Sequence, residues 1–228
     1  MSKGPLCLVG GDEWSDGCDF DAALLEDANT DTVVVLTTAA AYENPKALVE
    51  RAEAYFSGLG AKVVAPELYS RRDAMNPSTA EVIAEARFVY LGGGSSGGSP
   101  MHVRSVLSDS LALEAIIATW HAGNVLAASA ASGSVLFRHM VDTRGGAFTQ
   151  GLALLDGFTM IPGFDEWSSD KVHRTIDLAP PGMPVVGVER RSALIHRSDA
   201  GWSSEGAGAV HVYVGGHTAD LNALPPLT

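Results

Sequence analysis

The residues best suited to chemistry lie in one short stretch. Residues 124–136 read Asn-Val-Leu-Ala-Ala-Ser-Ala-Ala-Ser-Gly-Ser-Val-Leu, an apolar run that passes into a helix-compatible pattern through small residues only. A strand that turns sharply into a helix brings two backbones almost into contact and leaves no room for large side chains at the corner. A hydroxyl at the tip of such a corner attacks a carbonyl carbon once a neighbouring base takes its proton. Ser129 and Ser132 are the candidate hydroxyls, and His173 is an available imidazole. The same residues also suit a plainer description, a buried strand followed by a closely packed Ala/Ser helix. There Ser132 caps the helix, and His173, beside Lys171 and Arg174, sits on a solvated face.

A second stretch could hold an anion or a carbonyl. Residues 92–99 read Gly-Gly-Gly-Ser-Ser-Gly-Gly-Ser. Glycine permits positive φ and close backbone approach, so Gly92, Gly93, Gly94 and Ser95 can form the wall of a pocket. A surface loop is the other reading. His102 follows this loop and suits either a cleft wall or a packing role. The remaining histidines, at 121, 139, 196, 211 and 217, lack metal-ligand spacing, and there is no CxxC or HExxH, so no metal or cofactor is expected. The pairs Asp12-Glu13, Glu26-Asp27 and Asp165-Glu166 read as solvated loop or helix-end charges.

The elements that must position these residues alternate between strand and helix. Strands are expected at residues 5–9, 32–36, 61–65, 88–91 and from Val125. Residues 32–36, Thr-Val-Val-Val-Leu, are a continuous β-branched run of the kind that is covered on both faces of a parallel sheet. Helices are expected at 45–59, with Leu48, Ala52, Tyr55, Phe56 and Leu59 on one face, at 78–86 with Ser78 as cap, and at 111–121. After Leu136 the pattern loosens into a helix around Lys171–Arg174 and three short strands, at 184–188, 193–196 and 210–214. This order predicts an α/β fold, a three-layer, doubly wound and mostly parallel sheet, in one domain over residues 1–228. Ligands of such sheets sit beyond the carboxyl ends of the strands, where the glycine loop and the Ser129 corner lie.

Composition narrows the function classes. Hydrophobic residues make up 46% and charged residues 18% of the 228, enough apolar material for a large core. The formal net charge of −12 disfavours nucleic acid and anionic membrane as partners. No apolar run approaches the ~20 residues that cross a bilayer, and the N-terminus lacks the apolar region of a signal peptide. Two cysteines, Cys7 and Cys18, imply no disulfide framework. A cytoplasmic location is expected.

Several segments together resemble the serine peptidases of the dipeptidase E and cyanophycinase group. They are Tyr90-Leu-Gly-Gly-Gly, Ser99-Pro-Met-His-Val-Arg-Ser-Val-Leu107, Trp120-His-Ala-Gly-Asn-Val-Leu-Ala127, Gly151-Leu-Ala-Leu-Leu155, Ile161-Pro-Gly-Phe-Asp-Glu-Trp167 and Val186-Gly-Val-Glu-Arg-Arg-Ser-Ala193. The resemblance covers most of the chain and implies a class I glutamine amidotransferase-like, flavodoxin-like fold. The group's elbow, Leu-Ala-Gly-x-Ser-Ala-Gly-Ala-x-Val-Leu, aligns without gaps on residues 126–136 and matches Leu126, Ala127, Ala131, Val135 and Leu136. The nucleophile position then reads Ala130, and the glycines fall on Ala128 and Ser132. The group's base lies in a Pro-His-Phe segment that here reads Pro162-Gly163-Phe164, and its cyanophycinase-type position reads Trp167.

The resemblance therefore implies a catalytically degenerate member of the group. A methyl at Ala130 cannot attack a carbonyl, and a glycine at 163 cannot take a proton. The cleft would be kept for a small peptide-like or carboxylate ligand, or for a partner protein. Gly92, Gly93, Gly94, Ser95, Ala131, Phe164, Asp165 and Trp167 would be its contacts, with the glycine loop lending a backbone N–H to an oxyanion hole. A homodimer is expected. Two alternatives stay open: a working hydrolase that uses Ser129 or Ser132 with His173, and a pocket turned to different chemistry around Asp165, Glu166 and Trp167.

Overall fold

The computed structural model describes residues 3–94, 98–142 and 144–227. In chain order its first half contains β1 (Leu6–Val9), α1 (Phe20–Ala28), β2 (Thr32–Leu36), α2 (Pro45–Gly58), β3 (Lys62–Val64), α3 (Arg71–Ala74), α4 (Pro77–Ala84), β4 (Phe88–Leu91), α5 (Pro100–Leu107) and α6 (Leu111–His121). The second half contains β5 (Val125–Ser129), α7 (Ala130–Ser134), β6 (His139–Val141), β7 (Phe148–Gln150), β8 (Thr159–Pro162), α8 (Ser169–Asp177), β9 (Val185–Val188), β10 (Ser192–Arg197), β11 (Gly201–Gly206), β12 (Val210–Val214) and β13 (His217–Ala219).

Seven strands form the central sheet in the order β11-β10-β1-β5-β4-β2-β3. Strands β1, β5, β4, β2 and β3 run parallel, and β10 and β11 add an antiparallel edge beside β1. The apolar strand runs are buried on both faces, as alternation of side chains requires. Leu6, Leu8, Val34, Leu36, Val89, Leu91 and Leu126 pack on one face against Ile83 of α4, Val103 and Val106 of α5, and Ile116 and Trp120 of α6. Cys7, Val9, Val33, Val35, Phe88, Tyr90 and Val125 pack on the other against Leu24 of α1 and Leu48, Ala52 and Phe56 of α2. The result is the three-layer, doubly wound architecture.

Local sequence explains most of the element boundaries. The Asn44 side chain accepts the Ala47 N–H at 3.2 Å, and Pro45 follows it at the first helical position of α2. In α4 the cap is Asn76 and not Ser78: the Asn76 Oδ1 accepts the Ser78 N–H at 3.0 Å, and Pro77 opens the helix. Leu59 lies beyond the end of α2 and is 40% exposed, so the buried stripe of that helix is Leu48, Ala52 and Phe56. The last third of the chain builds a second sheet, β13-β12-β9-β8, in which β8 and β9 are parallel. The short hairpin β6–β7 stands apart from both sheets. The carboxyl ends of β1, β4, β5 and β8 converge on the cleft described next. Among the described residues, no helix is long and apolar enough to cross a membrane.

Candidate functional site

Ala130 occupies the corner between β5 and α7 with φ 46°, a left-handed backbone conformation. For a residue with a Cβ this costs about 1–2 kcal/mol and persists only where the surroundings impose it. The surroundings do so here. The parallel pairing of β5 with β1 places Ser129 opposite Val9, which fixes the end of the strand. A Cβ on Gly93 would lie 2.7 Å from the Ala130 Cβ and 2.9 Å from the Ser129 carbonyl oxygen, so the glycine loop and the corner touch backbone to backbone. Asp12 (φ 51°), Trp14 (φ 60°) and Arg191 (φ 57°) are strained in the same sense in the loops around this corner. Gly163 also has positive φ, 59°, and its N–H donates to the Gly10 carbonyl at 2.8 Å.

The serine hydroxyls of the stretch are engaged elsewhere. Ser129 is fully buried and its Oγ–H donates to Glu13 Oε2 at 2.7 Å. The Ser132 Oγ–H donates to the Gly92 carbonyl at 2.8 Å, pinning the glycine loop to α7. It makes no cap bond, because α7 has no side-chain cap. His173 is exposed on α8, with Nδ1 2.9 Å from the Ser169 carbonyl oxygen, and does not reach the cleft. His102 lies with Nε2 2.9 Å from the Tyr69 carbonyl oxygen and its ring against Tyr42.

Glu13 departs most from the sequence reading. It is not a solvated loop charge but is 1% exposed, beneath the corner. Its Oε1 accepts the Gly93 N–H at 2.9 Å, its Oε2 accepts Ser129, and Arg51 Nη2 is 3.5 Å from Oε1. One buried carboxylate thus ties the loop after β1, the loop after β4 and the end of β5 together. The Gly93 N–H is occupied by this bond and is not available to an oxyanion.

Above the corner lies a cleft of about 430 Å³. It is lined by Gly10, Gly11 and Asp12 after β1, by Gly94, Gly98 and Pro100 of the glycine loop and α5, by Ala130 and Ala131, and by Pro162, Gly163, Glu166, Trp167 and Arg190. Of the contacts expected from sequence, Gly94, Ala131 and Trp167 line it. Gly92 and Gly93 stand behind the wall, and Ser95 lies outside the described residues. Phe164 turns away, because its ring packs over Gly187 of β9 and against His211. The Lys171 ammonium sits 3.7 Å over the Trp167 ring.

Asp165 also lies behind the wall, where it holds Arg190. Its Oδ1 accepts the Arg190 backbone N–H at 3.0 Å and its Oδ2 accepts the guanidinium Nε–H at 2.9 Å. Partial burial opposes the charged form of Asp165, but the Arg190 backbone and side-chain hydrogen bonds outweigh it and hold the carboxyl below the ordinary range. Arg190 Nη1 lies 2.7 Å from Glu166 Oε1 and 3.7 Å from Asp12 Oδ2. The sequence reading missed both Arg190 and Glu13. Among the described residues, no group of three or more His, Cys, Asp or Glu side chains could hold a metal ion.

No protein-family model matches this sequence, and no curated protein sequence matches it. Solved structures do. A peptidase from an acI-B1 actinobacterium superposes with a TM-score of 0.83 at 24% identity, covering 95% of this chain and 93% of its own. A candidate peptidase E protein from Listeria monocytogenes EGD-e superposes with a TM-score of 0.69 at 14% identity, covering 91% of this chain and 100% of its own. The chain has a peptidase E-like fold. In this fold the corner at Ala130 and the loops after β1, β4 and β8 surround one cleft at the carboxyl edge of the parallel sheet, as expected for doubly wound sheets.

Proposed function

We propose that this chain is a dipeptidase E-like protein that keeps the cleft as a binding site for a small peptide-like or carboxylate-bearing ligand and has lost the Ser–His chemistry. The observation that carries the reading is Ala130: a methyl group stands on the strained, left-handed apex of the strand-to-helix corner and faces the cleft. Strain of this kind gathers at functional sites, yet no step of acyl transfer uses a methyl. Gly163 lines the same cleft and supplies no base. The neighbouring hydroxyls of Ser129 and Ser132 support the same reading, since both are buried and donate to Glu13 and to the Gly92 carbonyl.

The test restores what is missing. Ala130→Ser and Gly163→His would be assayed singly and together against a panel of acidic dipeptides. A side chain at residue 163 carries the strain of φ 59°, but its Cβ would meet nothing closer than 3.8 Å among the described residues. The expected result is weak hydrolysis in the double variant only, because nucleophile and base act as a unit. A folded double variant with no hydrolysis would remove these two positions as the pair.

A further inference from the structure

Three charged groups line the cleft: Asp12, Glu166 and Arg190. Their side chains are 53%, 59% and 39% exposed, so all three are accessible to a ligand. Arg190 is the one that is firmly oriented, through its backbone N–H and Nε–H bonds to Asp165. Those two bonds leave the outer edge of the guanidinium turned from Asp165, and Nη2 has no hydrogen-bond partner among the described residues. With Nε on Asp165 and Nη1 on Glu166, Nη2 is the guanidinium nitrogen left to donate to a ligand carboxylate.

A purely anionic ligand would nonetheless meet Asp12 and Glu166, which flank the same guanidinium at 3.7 and 2.7 Å. A purely cationic ligand would meet Arg190. The charge pattern, minus–plus–minus across one wall, is complementary to a group that carries both signs side by side. We propose that the cleft holds its ligand by a zwitterionic, amino-acid-like head, with the ligand carboxylate on Nη2 of Arg190 and the ligand ammonium on the solvent-facing side of Asp12 and Glu166. Asp165 is then a positioning residue that aims the guanidinium without touching the ligand. The rest of the ligand runs toward Ala130 and the glycine wall at Gly94 and Gly98. This deepens the binding role proposed above and rests on it.

The experiment is a calorimetric titration of the full chain with L-norleucine, N-acetyl-L-norleucine (no ammonium) and L-norleucinamide (no carboxylate). Norleucine is expected to bind, and each blocked form to bind about tenfold more weakly or worse, since each leaves a charged partner unmatched. Arg190→Met should abolish norleucine binding. Glu166→Gln, at an exposed side chain that does not threaten the fold, should weaken norleucine but leave the blocked amine form nearly unchanged. Asp165→Asn should weaken norleucine as well, with recovery in Asp165→Glu, which restores a carboxylate opposite Arg190. No binding of norleucine at tens of millimolar, or equal binding of either blocked form, overturns the proposal. Equal binding of the N-acetyl form would leave a carboxylate-binding cleft standing, so that failure is distinct from failure of the binding role itself, in which none of the three compounds binds.

Discussion

Two buried carboxylates, Glu13 and Asp21, stand close in sequence and meet opposite environments. Glu13 is 1% exposed and has three partners, the Gly93 N–H, the Ser129 hydroxyl and Arg51. Asp21, in the first turn of α1, is fully buried, and neither of its oxygens has a hydrogen-bond partner among the described residues. The Tyr90 hydroxyl and the Trp14 indole N–H in the same core layer are also without hydrogen-bond partners among the described residues. Burial pushes the Asp21 carboxyl well above its ordinary range; the nearby Tyr55 hydroxyl pulls it back in part and the Glu13 charge pushes it further up. The contrast separates a polar group that builds the site from one that burdens the core. A buried carboxylate with donors on both oxygens can cross-link loops, whereas one without them is held neutral at a cost to stability.

The largest effect is expected where the partners are. Glu13→Ala would leave the Gly93 N–H, the Ser129 hydroxyl and the Arg51 charge unmatched and should destabilise the protein by about 3–5 kcal/mol. Urea unfolding measures this, and a loss below about 1 kcal/mol would show that the loops are held by packing alone.

Asp21 should behave in the reverse sense. Its folded-state pKa is raised, so the folded chain holds a proton that the unfolded chain releases once pH passes the ordinary carboxylate value near ~4. Its favourable contribution is therefore full below about pH 4 and is lost as pH rises toward the folded-state value, at up to ~1.4 kcal/mol per pH unit. Asp21→Asn should flatten that slope and raise stability at pH 8, with little change near pH 4. Denaturation at the two pH values decides it, and an equal shift at both would mean that Asp21 does not change protonation on folding.

The smallest effect is expected at the corner. Ala130→Gly removes the penalty of a Cβ at φ 46° and should stabilise by about 0.5–1 kcal/mol after the added freedom of the unfolded chain is counted. A destabilised variant would mean that the methyl packs against something that offsets its strain.

How much of this was legible in the sequence follows the same division between local and distant causes. The strands at 32–36 and 88–91 and the helix at 111–121 are set by local apolar runs and caps, and they appear where the pattern puts them. The corner at Ala130 was legible through its run of small residues, because a tight backbone approach excludes anything larger. Glu13 was not legible: its two hydrogen-bond partners are 80 and 116 residues away, and Gly-Gly-Asp-Glu-Trp alone reads as a loop. Arg190 was hidden for the same reason, since Asp165, which aims it, is 25 residues away. Helix α1 was missed because Asp21 interrupts its buried face with a charge-bearing residue. The second sheet was missed as a unit, since β9 and β12 were read as separate short strands, β8 was not read as a strand, and only pairing across the chain joins them.

The most direct test of the central claim is intact-mass analysis of the native chain after treatment with an excess of a fluorophosphonate serine probe. With a methyl at the apex and the flanking hydroxyls bonded to Glu13 and Gly92, the unmodified mass should persist, while the Ala130→Ser, Gly163→His double variant should gain one adduct. A stoichiometric adduct on Ser129 or Ser132 of the native chain would contradict the account.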